Sequence, residues 1–534
     1  MMRRRTLVPL ILTAGLLPAA GLTVAAVPAL AASITHRTTL LGVTLSGDLP
    51  DGPVFEAVLS GGLTTAAFTT TATNMGANQL NGPIADVMTI DLLSGRQRVV
   101  SEAFDGTGAN GPSRSPAISA FGTRVAFASD ATNLVEGDTN GLTDIFVRQR
   151  EGTLARVSVA LDGGNANGPS SQPDISADGR IVVFTSAATN LVPGDTNGVA
   201  DVFARDLTLG TTRRVSVSSD GTQANGPSSA PASDGDGGAI AFESAASNLA
   251  SGDTNGVDDV FVHQSSGGTD RVSVSSAGRQ QDKAIARPYA AAPDISGDGR
   301  YVVFDTDATT LYNGDTNQRT DVYLRDRRRR TTTLVSASSL NVQGNNDSIT
   351  PRITPNGRFV TFQSFASNLV RDDGPREDLF VRDRRAGTTA LVNATDSGER
   401  REGEPGGSQL LQRASISDDG RYSLFLSAAT NITKTTTVAP RRLYLRQLTA
   451  PVVSVRSLAS HAGGVVRLRL QADDPTATRF LCRVDRAVPF YCGPVVKVPR
   501  TAGRILSFRA GGPGMLWSAA RTIPLTDGWA GWTD

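Results

Sequence analysis

The sequence predicts an all-β fold: a seven-bladed β-propeller of four-stranded blades, followed by a smaller β-rich unit. Three observations lead there. A string of the form Phe-x-Ser/Thr-x-Ala-Ser/Thr-Asn-Leu, or a near variant, begins at Phe68, Phe127, Phe184, Phe242, Phe304, Phe362 and Phe425. Successive starts lie 59, 57, 58, 62, 58 and 63 residues apart, a period of about 60. Each period contains short apolar runs separated by Gly, Pro, Asn and Asp, and no window shows sustained helical periodicity with caps. A repeat of this length with four short strands suits a propeller blade, and seven copies suit a closed ring. The coils of a parallel β-helix would be about half as long.

The elements of one unit follow in order. A first strand reads Pro-x-Ile-Ser, as at Pro116–Ser119, Pro173–Ser176 and Pro293–Ser296, and a turn such as Asp178-Gly179 or Asp298-Gly299 ends it. A second strand, IVVF or YVVF, runs into the key Phe. After a loop of about ten residues, a third reads DVFAR, DVFVH, DVYLR or DLFVR. A fourth is expected at RVSVS or TLVSAS, often followed by Asn-Gly-Pro. A blade can hide its apolar faces only between neighbours, so the ring must close. The segment from Leu41 to Pro53, LGVTLSGDLPDGP, resembles VSVSSDGTQANGP from Val215, and it is expected to complete the seventh blade from the N-terminal side. The rival for that place is VVSV at Val452–Val455.

Composition narrows the chemistry. The 534 residues include 55 Gly and 27 Pro, which supply the repeated turns, but only three His and two Cys. Several His-ligated zinc centres are therefore excluded, and a His-based triad has few candidates. The net charge of +1 gives no electrostatic reason to expect a nucleic acid or an anionic membrane as partner. Arg3, Arg4 and Arg5, an apolar stretch from Leu7 to about Val27, and Ala29-Leu30-Ala31 read as a signal peptide over residues 1–31, cleaved after Ala31. Pro9, Pro18 and Pro28 interrupt the stretch and argue against a membrane span. Arg4-Arg5-Thr6-Leu7 loosely resembles a twin-arginine signal, so the export route stays open. Loss of the three Arg takes the net charge to −2. The mature protein is expected to be secreted or at the cell surface, without stable membrane insertion, and a monomer.

The element S-x-D-G-R-x-V-x-F, at Ser176–Phe184 and Ser296–Phe304, followed by D-V-F/Y at Asp201 and Asp321, resembles the WD40-like repeat of TolB-type propellers. The resemblance covers residues 32–450 and implies the propeller scaffold and a binding role. The α/β domain of TolB has no counterpart here, and no G-x-S-x-G marks the hydrolase domain of the prolyl oligopeptidases. In residues 451–534, RFLCRVDRAVPFYCGP (Arg479–Pro494) is similar to a segment of Ig-like modules appended to secreted bacterial proteins. Arg486 stands where that family usually has Gly. The resemblance implies a small β-sandwich, with a disulfide between Cys482 and Cys492, the only cysteines.

One polar constellation recurs in the loop between the second and third strands. It comprises Asp138, Asn140 and Asp144; Asp195, Asn197 and Asp201; Asp253, Asn255 and Asp259; and Asp315, Asn317 and Asp321. The sixth unit keeps Asp372 or Asp373 and Asp378, and the first keeps Asp86. Oxygen ligands at positions 1, 3 and 7 of a turning loop suit Ca²⁺. The loop is nevertheless two residues shorter than the calcium loops of integrin-type propellers and lacks their central Asp. The competing reading is a turn, capped by the Asp and Asn side chains themselves. The Asp-Gly of S-x-D-G-R is explained as a hairpin turn, not as a sialidase Asp box, because no Trp follows. His263 occupies a slot held elsewhere by Arg148, Arg205 and Arg325, and Arg327 to Arg330 read as a solvated turn. The expected function is non-catalytic binding of a protein or glycan through loops on one face. The alternatives are an extracellular carbohydrate-active hydrolase or lyase using carboxylates at the channel mouth, and a structural surface protein.

Overall fold

The computed structural model describes residues 38–41, 44, 48–75, 81–150, 152–283, 293–370, 374, 376–395, 401–402, 415–432 and 441–448. It also describes seven strands between Val453–His461 and Arg521–Leu525. The leader expected over residues 1–31 lies outside the described residues.

Each repeat forms one antiparallel sheet whose strands are hydrogen-bonded in chain order. Blade 3 is representative: Ser170–Ile175 lines the central channel, then Ile181–Ser186, Asp201–Asp206 and Thr211–Arg214 step outward. The blades span 54–99, 113–156, 170–214, 228–271, 294–334, 348–391 and 415–447. The seventh supplies only three strands of its own. Its fourth is Thr38–Leu41, which pairs with Arg442–Gln447 so that Thr38 faces Arg446 and Leu41 faces Leu443. The ring thus closes from the N-terminal side, through residues just before the expected Leu41–Pro53 segment, of which the strand includes only Leu41. Of the rival VVSV segment, Val453 to Val455 fall in Val453–His461, which pairs with Val465–Ala472 in the tail, and Val452 lies outside the described residues.

The repeated string now has a physical account, residue by residue. Its Phe stacks across the ladder on an aromatic of the third strand. Centroids are 5.8 Å apart for Phe127–Phe146, 5.9 Å for Phe184–Phe203 and 5.5 Å for Phe425–Tyr444. In blade 1, Met88 takes the aromatic's place opposite Phe68. The Ser turns the chain after the second strand, as Ser186 Oγ accepts the Ala188 N–H at 3.1 Å. Asn190 donates to the Asn165 carbonyl at 3.0 Å and its Oδ1 accepts the Asn167 N–H at 3.1 Å, which ties the string to the Asn-Gly-Pro loop entering the same blade. Ala188 and Leu191 are buried.

Both faces of each blade are apolar because each packs against a neighbour. Val182 and Phe184 pack with Ala126 and Val147 of blade 2, while Val183 and Val202 pack with Phe242 and Phe261 of blade 4. This is why the second strands read as continuous apolar runs rather than alternating. The fourth strand differs from expectation. It ends at Arg214 in blade 3 and at Leu334 in blade 5, just before most of the VSVS-type residues. Those residues cap the third strand instead: Ser216 Oγ accepts the Val202 N–H at 3.1 Å, and Val217 forms an isolated bridge to Gln223.

The tail contains a three-stranded antiparallel sheet, Val453–His461, Val465–Ala472 and Val495–Pro499. A four-stranded sheet is ordered Phe490–Cys492, Arg479–Val484, Arg504–Gly511 and Arg521–Leu525. No helix occurs among the described residues.

Candidate functional site

The innermost strands share a departure from regular pairing. In blades 2, 3, 4 and 6 the register shifts between the second and fifth residues, across the x-Pro step. Ser115, Gln172, Ala230 and Thr350, each preceding a Pro, adopt φ of 54°, 52°, 54° and 53°. These are bulges, and they release a backbone N–H from the ladder. The preceding blade supplies an acceptor. Glu56 accepts the Ser115 N–H at 2.5 Å, Gln172 that of Ala230 at 3.0 Å, and Asp305 that of Thr350 at 3.1 Å. Further along the same strands, Asp174 accepts the Ser233 N–H at 2.8 Å and Asp294 that of Ile353 at 2.7 Å. Several channel-lining acids therefore also join one blade to the next.

At one end of the channel, the turns after the innermost strands bond to each other around the whole ring. Gly62 donates to Ala120 O at 2.8 Å, Ala120 to Ala177 O at 2.9 Å, and Asp178 to Gly235 O at 3.3 Å. Gly235 donates to Gly297 O at 3.2 Å and Gly297 to Pro355 O at 2.9 Å. The Asn356 side chain donates to Asp418 O at 3.3 Å, and Asp418 N–H to Gly61 O at 3.1 Å, closing the circuit. Small residues permit this approach: a Cβ on Gly61 would lie 2.1 Å from the Asp418 carboxylate, and one on Gly235 would lie 2.9 Å from Gly297 O.

Inside this collar is a cavity of about 380 Å³. Among the described residues, Glu56, Asp174, Asp234, Asp294 and Asp418 line it, from blades 1, 3, 4, 5 and 7, with Arg352 of blade 6 as the one cationic side chain. Arg352 lies 3.4 Å from Asp294. Among the described residues, no aromatic side chain lines it. Burial pushes the Asp174 carboxyl above the usual range; Arg352 opposes the shift and Asp294 adds to it. Burial, then the neighbouring Asp419, raises Asp418.

Asp234 is the most informative of these groups. It occupies the position held by Ser or Thr in every other unit (Ser60, Ser119, Ser176, Ser296, Thr354, Ser417), where the hydroxyl accepts the N–H that starts the next strand. The Asp234 side chain is buried, and its Oδ1 has no hydrogen-bond partner. Burial, reinforced by Asp236 against the backbone N–H groups of Ala239 and Gly238, pushes its pKa up to about 6. Sequence reading passed over it because Ser233-Asp234-Gly235-Asp236-Gly237 mimics the S-x-D-G pattern one residue out of phase. Asp418 was hidden likewise, by the doubled Asp of Ser417-Asp418-Asp419-Gly420. The unique acids Glu102, Glu136 and Glu243 do not line the cavity.

The recurrent Asp/Asn loops lie at the opposite end of the blades, and each set is brought together. Asn140 donates to Asp144 Oδ2 at 2.9 Å, Asn197 to Asp201 at 3.0 Å, Asn255 to Asp259 at 2.9 Å and Asn317 to Asp321 at 3.1 Å. The Asn oxygen is also engaged, accepting the N–H two residues on, as in Asn140 with Leu142 at 3.0 Å. A serine from beyond the fourth strand donates to the other oxygen of the buried Asp: Ser158 to Asp144 and Ser216 to Asp201, both at 2.5 Å, Ser273 to Asp259, and Ser336 to Asp321 at 2.5 Å. The first Asp of each loop faces a cation or amide. Arg156 lies 3.4 Å from Asp138, Arg214 3.7 Å from Asp195 and Arg271 2.8 Å from Asp253, and Gln343 donates to Asp315 at 2.9 Å. Burial raises Asp144, Asp201 and Asp259, and pushes Asp321 to about 6. The first unit keeps a version that spacing concealed: Asn81 donates to Asp86 at 3.2 Å and Ser101 at 2.8 Å. In the sixth, Asn393 replaces the serine beside Asp378, and Arg401 lies 3.1 Å from it. Among the described residues, no group of three His, Cys, Asp or Glu side chains is arranged to hold a metal ion.

His263, in the Arg slot, is buried and shares a 2.9 Å hydrogen bond with Thr269. Burial, then the Arg213 charge, lowers its pKa to about 4. Cys482 is fully buried; it pairs opposite Phe490 while Cys492 pairs opposite Phe480, two positions apart on adjacent strands.

A folded-state pKa raised from the ordinary 3.8 to about 6 means that Asp234 stabilises the fold when protonated, and that this contribution is lost as pH rises through 6. Asp234→Asn should therefore be more stable than the parent at pH 8 by about 1–2 kcal/mol. The gain should shrink towards zero at pH 5. Denaturant unfolding at the two pH values measures it, and a pH-independent difference would contradict the assignment.

No protein-family profile and no curated protein matches the chain. Among solved structures, a TolB of Agrobacterium tumefaciens aligns with 66% of this chain and 95% of its own at 16% identity, with a TM-score of 0.35. TolB of Acinetobacter baumannii aligns over 80% of this chain and 77% of its own at 12% identity and a TM-score of 0.34. An oligogalacturonate lyase in complex with manganese covers 77% and 96% at 14% identity and a TM-score of 0.45. The propeller assignment stands on the seven sheets and their closure, and the chain is similar to these proteins at the level of the blade repeat.

Proposed function

We propose that the chain is an exported binding protein whose acidic channel mouth receives a cationic segment of a partner protein. The observation that carries this reading is five carboxylates against one guanidinium among the described residues that line a cavity of about 380 Å³. Asp234 and Asp418 are acids at positions that the other units fill with a neutral residue, and burial makes their charge costly until a cation arrives. A Lys or Arg side chain fits such a space, and a basic segment would be drawn to it from solution. The described lining residues offer no aromatic stacking surface for a sugar ring, which favours a peptide over a glycan. Tested with a fluorescent Arg-rich peptide at low salt, the parent should bind. Asp234→Asn/Asp418→Asn should weaken binding at least tenfold, and affinity should fall as pH drops through 6. Unchanged binding by the double variant would refute the reading.

The raised pKa of Asp234 also favours a second reading, a carbohydrate-active hydrolase or lyase, since a general acid needs a carboxyl protonated near neutral pH. It requires glycan turnover by the parent and its loss in Asp234→Asn. Peptide binding without turnover decides against it.

We read the Asp/Asn loops as structural networks rather than calcium sites. Asn, Ser and Arg donors occupy the oxygens that Ca²⁺ would need, and the Asn presents its N–H₂ to the Asp instead of an oxygen to a metal. The melting temperature should not change with EDTA or added Ca²⁺, whereas Ser216→Ala should destabilise by about 1–3 kcal/mol by stripping a donor from buried Asp201. A calcium-dependent rise of several degrees would restore the metal reading. For the tail, we propose an Ig-like sandwich with a Cys482–Cys492 disulfide, added to a chain cleaved after Ala31. The intact mass of protein recovered from an exporting host should match residues 32–534 less two hydrogens; a retained leader or two free thiols would refute the corresponding part.

A further inference from the structure

A second cavity, of about 290 Å³, opens between blades 1 and 2. It lies at the same end of the ring as the acidic mouth, since the turns after the innermost and third strands share that end. Arg96 and Arg98 reach it from the outermost hairpin of blade 1, and Arg148 and Arg150 from the end of the third strand of blade 2. Among the described residues of its lining the one carboxylate, Asp91, is already engaged: Oδ1 accepts from the Leu93 and Ser94 N–H groups, and Oδ2 pairs with Arg150.

The repeat supplies an internal control. The slot of Arg98, set by its pairing with Thr89, is held by Ala155, Arg213, Asp270, Thr333 and Ala390 in blades 2 to 6. The slot of Arg150 is held by Leu207, Ser265, Arg327, Arg384 and Leu448 in blades 3 to 7. Where blade 4 meets blade 5, Asp270 pairs with Arg327 at 3.2 Å. Between blades 5 and 6, Arg384 stacks on Tyr301, 4.3 Å from the ring centroid. Between blades 2 and 3, Ala155 meets Leu207. Between blades 3 and 4, Arg213 meets Ser265. Only between blades 1 and 2 do both slots hold Arg, so beyond the Arg150–Asp91 pair like charge is concentrated there around open space. Buried Arg148 donates to the carbonyls of Val100, Glu102 and Gly152, and the Glu102 charge opposes only in part the cost of its burial. Burial, then the charge of Arg98, lowers its pKa to about 10.

We infer that this groove is an anion site for a phosphate or sulfate ester. Guanidiniums from two facing elements can offer paired N–H donors to a tetrahedral oxyanion. The cavity is large enough to hold a sugar-sized group beyond the ester. Calorimetric titration of the full chain with inorganic phosphate, inorganic sulfate and glucose 6-phosphate at low salt tests it. The parent should bind at least one inorganic anion with sub-millimolar affinity, and tighter binding of glucose 6-phosphate would identify an esterified sugar over the free ion. Arg96→Gln/Arg98→Gln should weaken binding at least tenfold, and its melting temperature should hold or rise because like-charge repulsion is relieved. Arg328→Gln/Arg329→Gln, in the exposed turn of blade 5, should bind as the parent does. Binding of none of the three anions, or equal loss in both double variants, would overturn the assignment. Because the acidic mouth is untouched, peptide binding by Arg96→Gln/Arg98→Gln reports separately on the channel.

Discussion

The structure depends on closure. A blade here has two apolar faces and no means of covering either by itself, so every blade requires both neighbours. The circuit of hydrogen bonds from Gly62 through Ala120, Ala177, Gly235, Gly297, Pro355 and Asp418 back to Gly61 expresses that constraint at the channel. At the rim, an Arg from the third strand does similar work. Arg325 donates to the carbonyls of Val274 and Ser275, Arg382 to those of Ala337 and Ser338, and Arg446 to those of Ala394 and Thr395, each in the preceding blade. Each also holds a fourth-strand Thr of its own blade. Arg325 reaches Thr332 at 3.1 Å, Arg382 reaches Thr389 at 2.9 Å, and Arg446 reaches Thr38 at 2.9 Å. The N-terminal strand is therefore accepted by blade 7 through the same contact that the other blades make internally, which is why a strand about 400 residues away in sequence fits there (|i−j| = 408).

Closure also explains the buried polar groups. The third strand of blades 1 to 6 begins at an Asp that is almost fully buried, an expensive group to place in a core. The Ser, Asn and Arg around it are the compensation, and they come from three different segments of the unit. The network thus fixes the loop between second and third strands against the segment that follows the fourth. Removing one member leaves the others unsatisfied. A recurrent Asp-x-Asn pattern can be explained by this alone, since it must be rebuilt in every blade that keeps the geometry.

Much of the architecture was legible because it repeats. The Phe, the Ser turn and the Asn clamp each recur at one phase, so their spacing revealed the blade and the resemblance at Leu41 pointed to closure from the N-terminal side. What stayed hidden was local and unrepeated. The fourth strand was placed too late because VSVS has strand-like alternation, yet the Ser must leave the ladder to reach Asp201. Asp234 and Asp418 were hidden by turn patterns that imitate the repeat. Glu56, Asp174, Asp294 and Arg352 converge only because the ring brings distant blades to one axis, a relation that no spacing along the chain encodes.

A repeat protein offers its own background against which departures stand out. Most of its charged side chains serve the scaffold, so composition says little about ligands: a net charge of +1 conceals an acidic pit and a basic groove at the same end of the ring. The informative residues are those that break the pattern at a cost the fold did not need to bear. A hydroxyl serves at the position of Asp234 in six other units with no buried charge, and other pairings at the Arg98 slot avoid like-charge contact. Both positions oppose stability where they stand. Each is accounted for if a partner of opposite charge completes it, with a cation in the channel and an anion between blades 1 and 2.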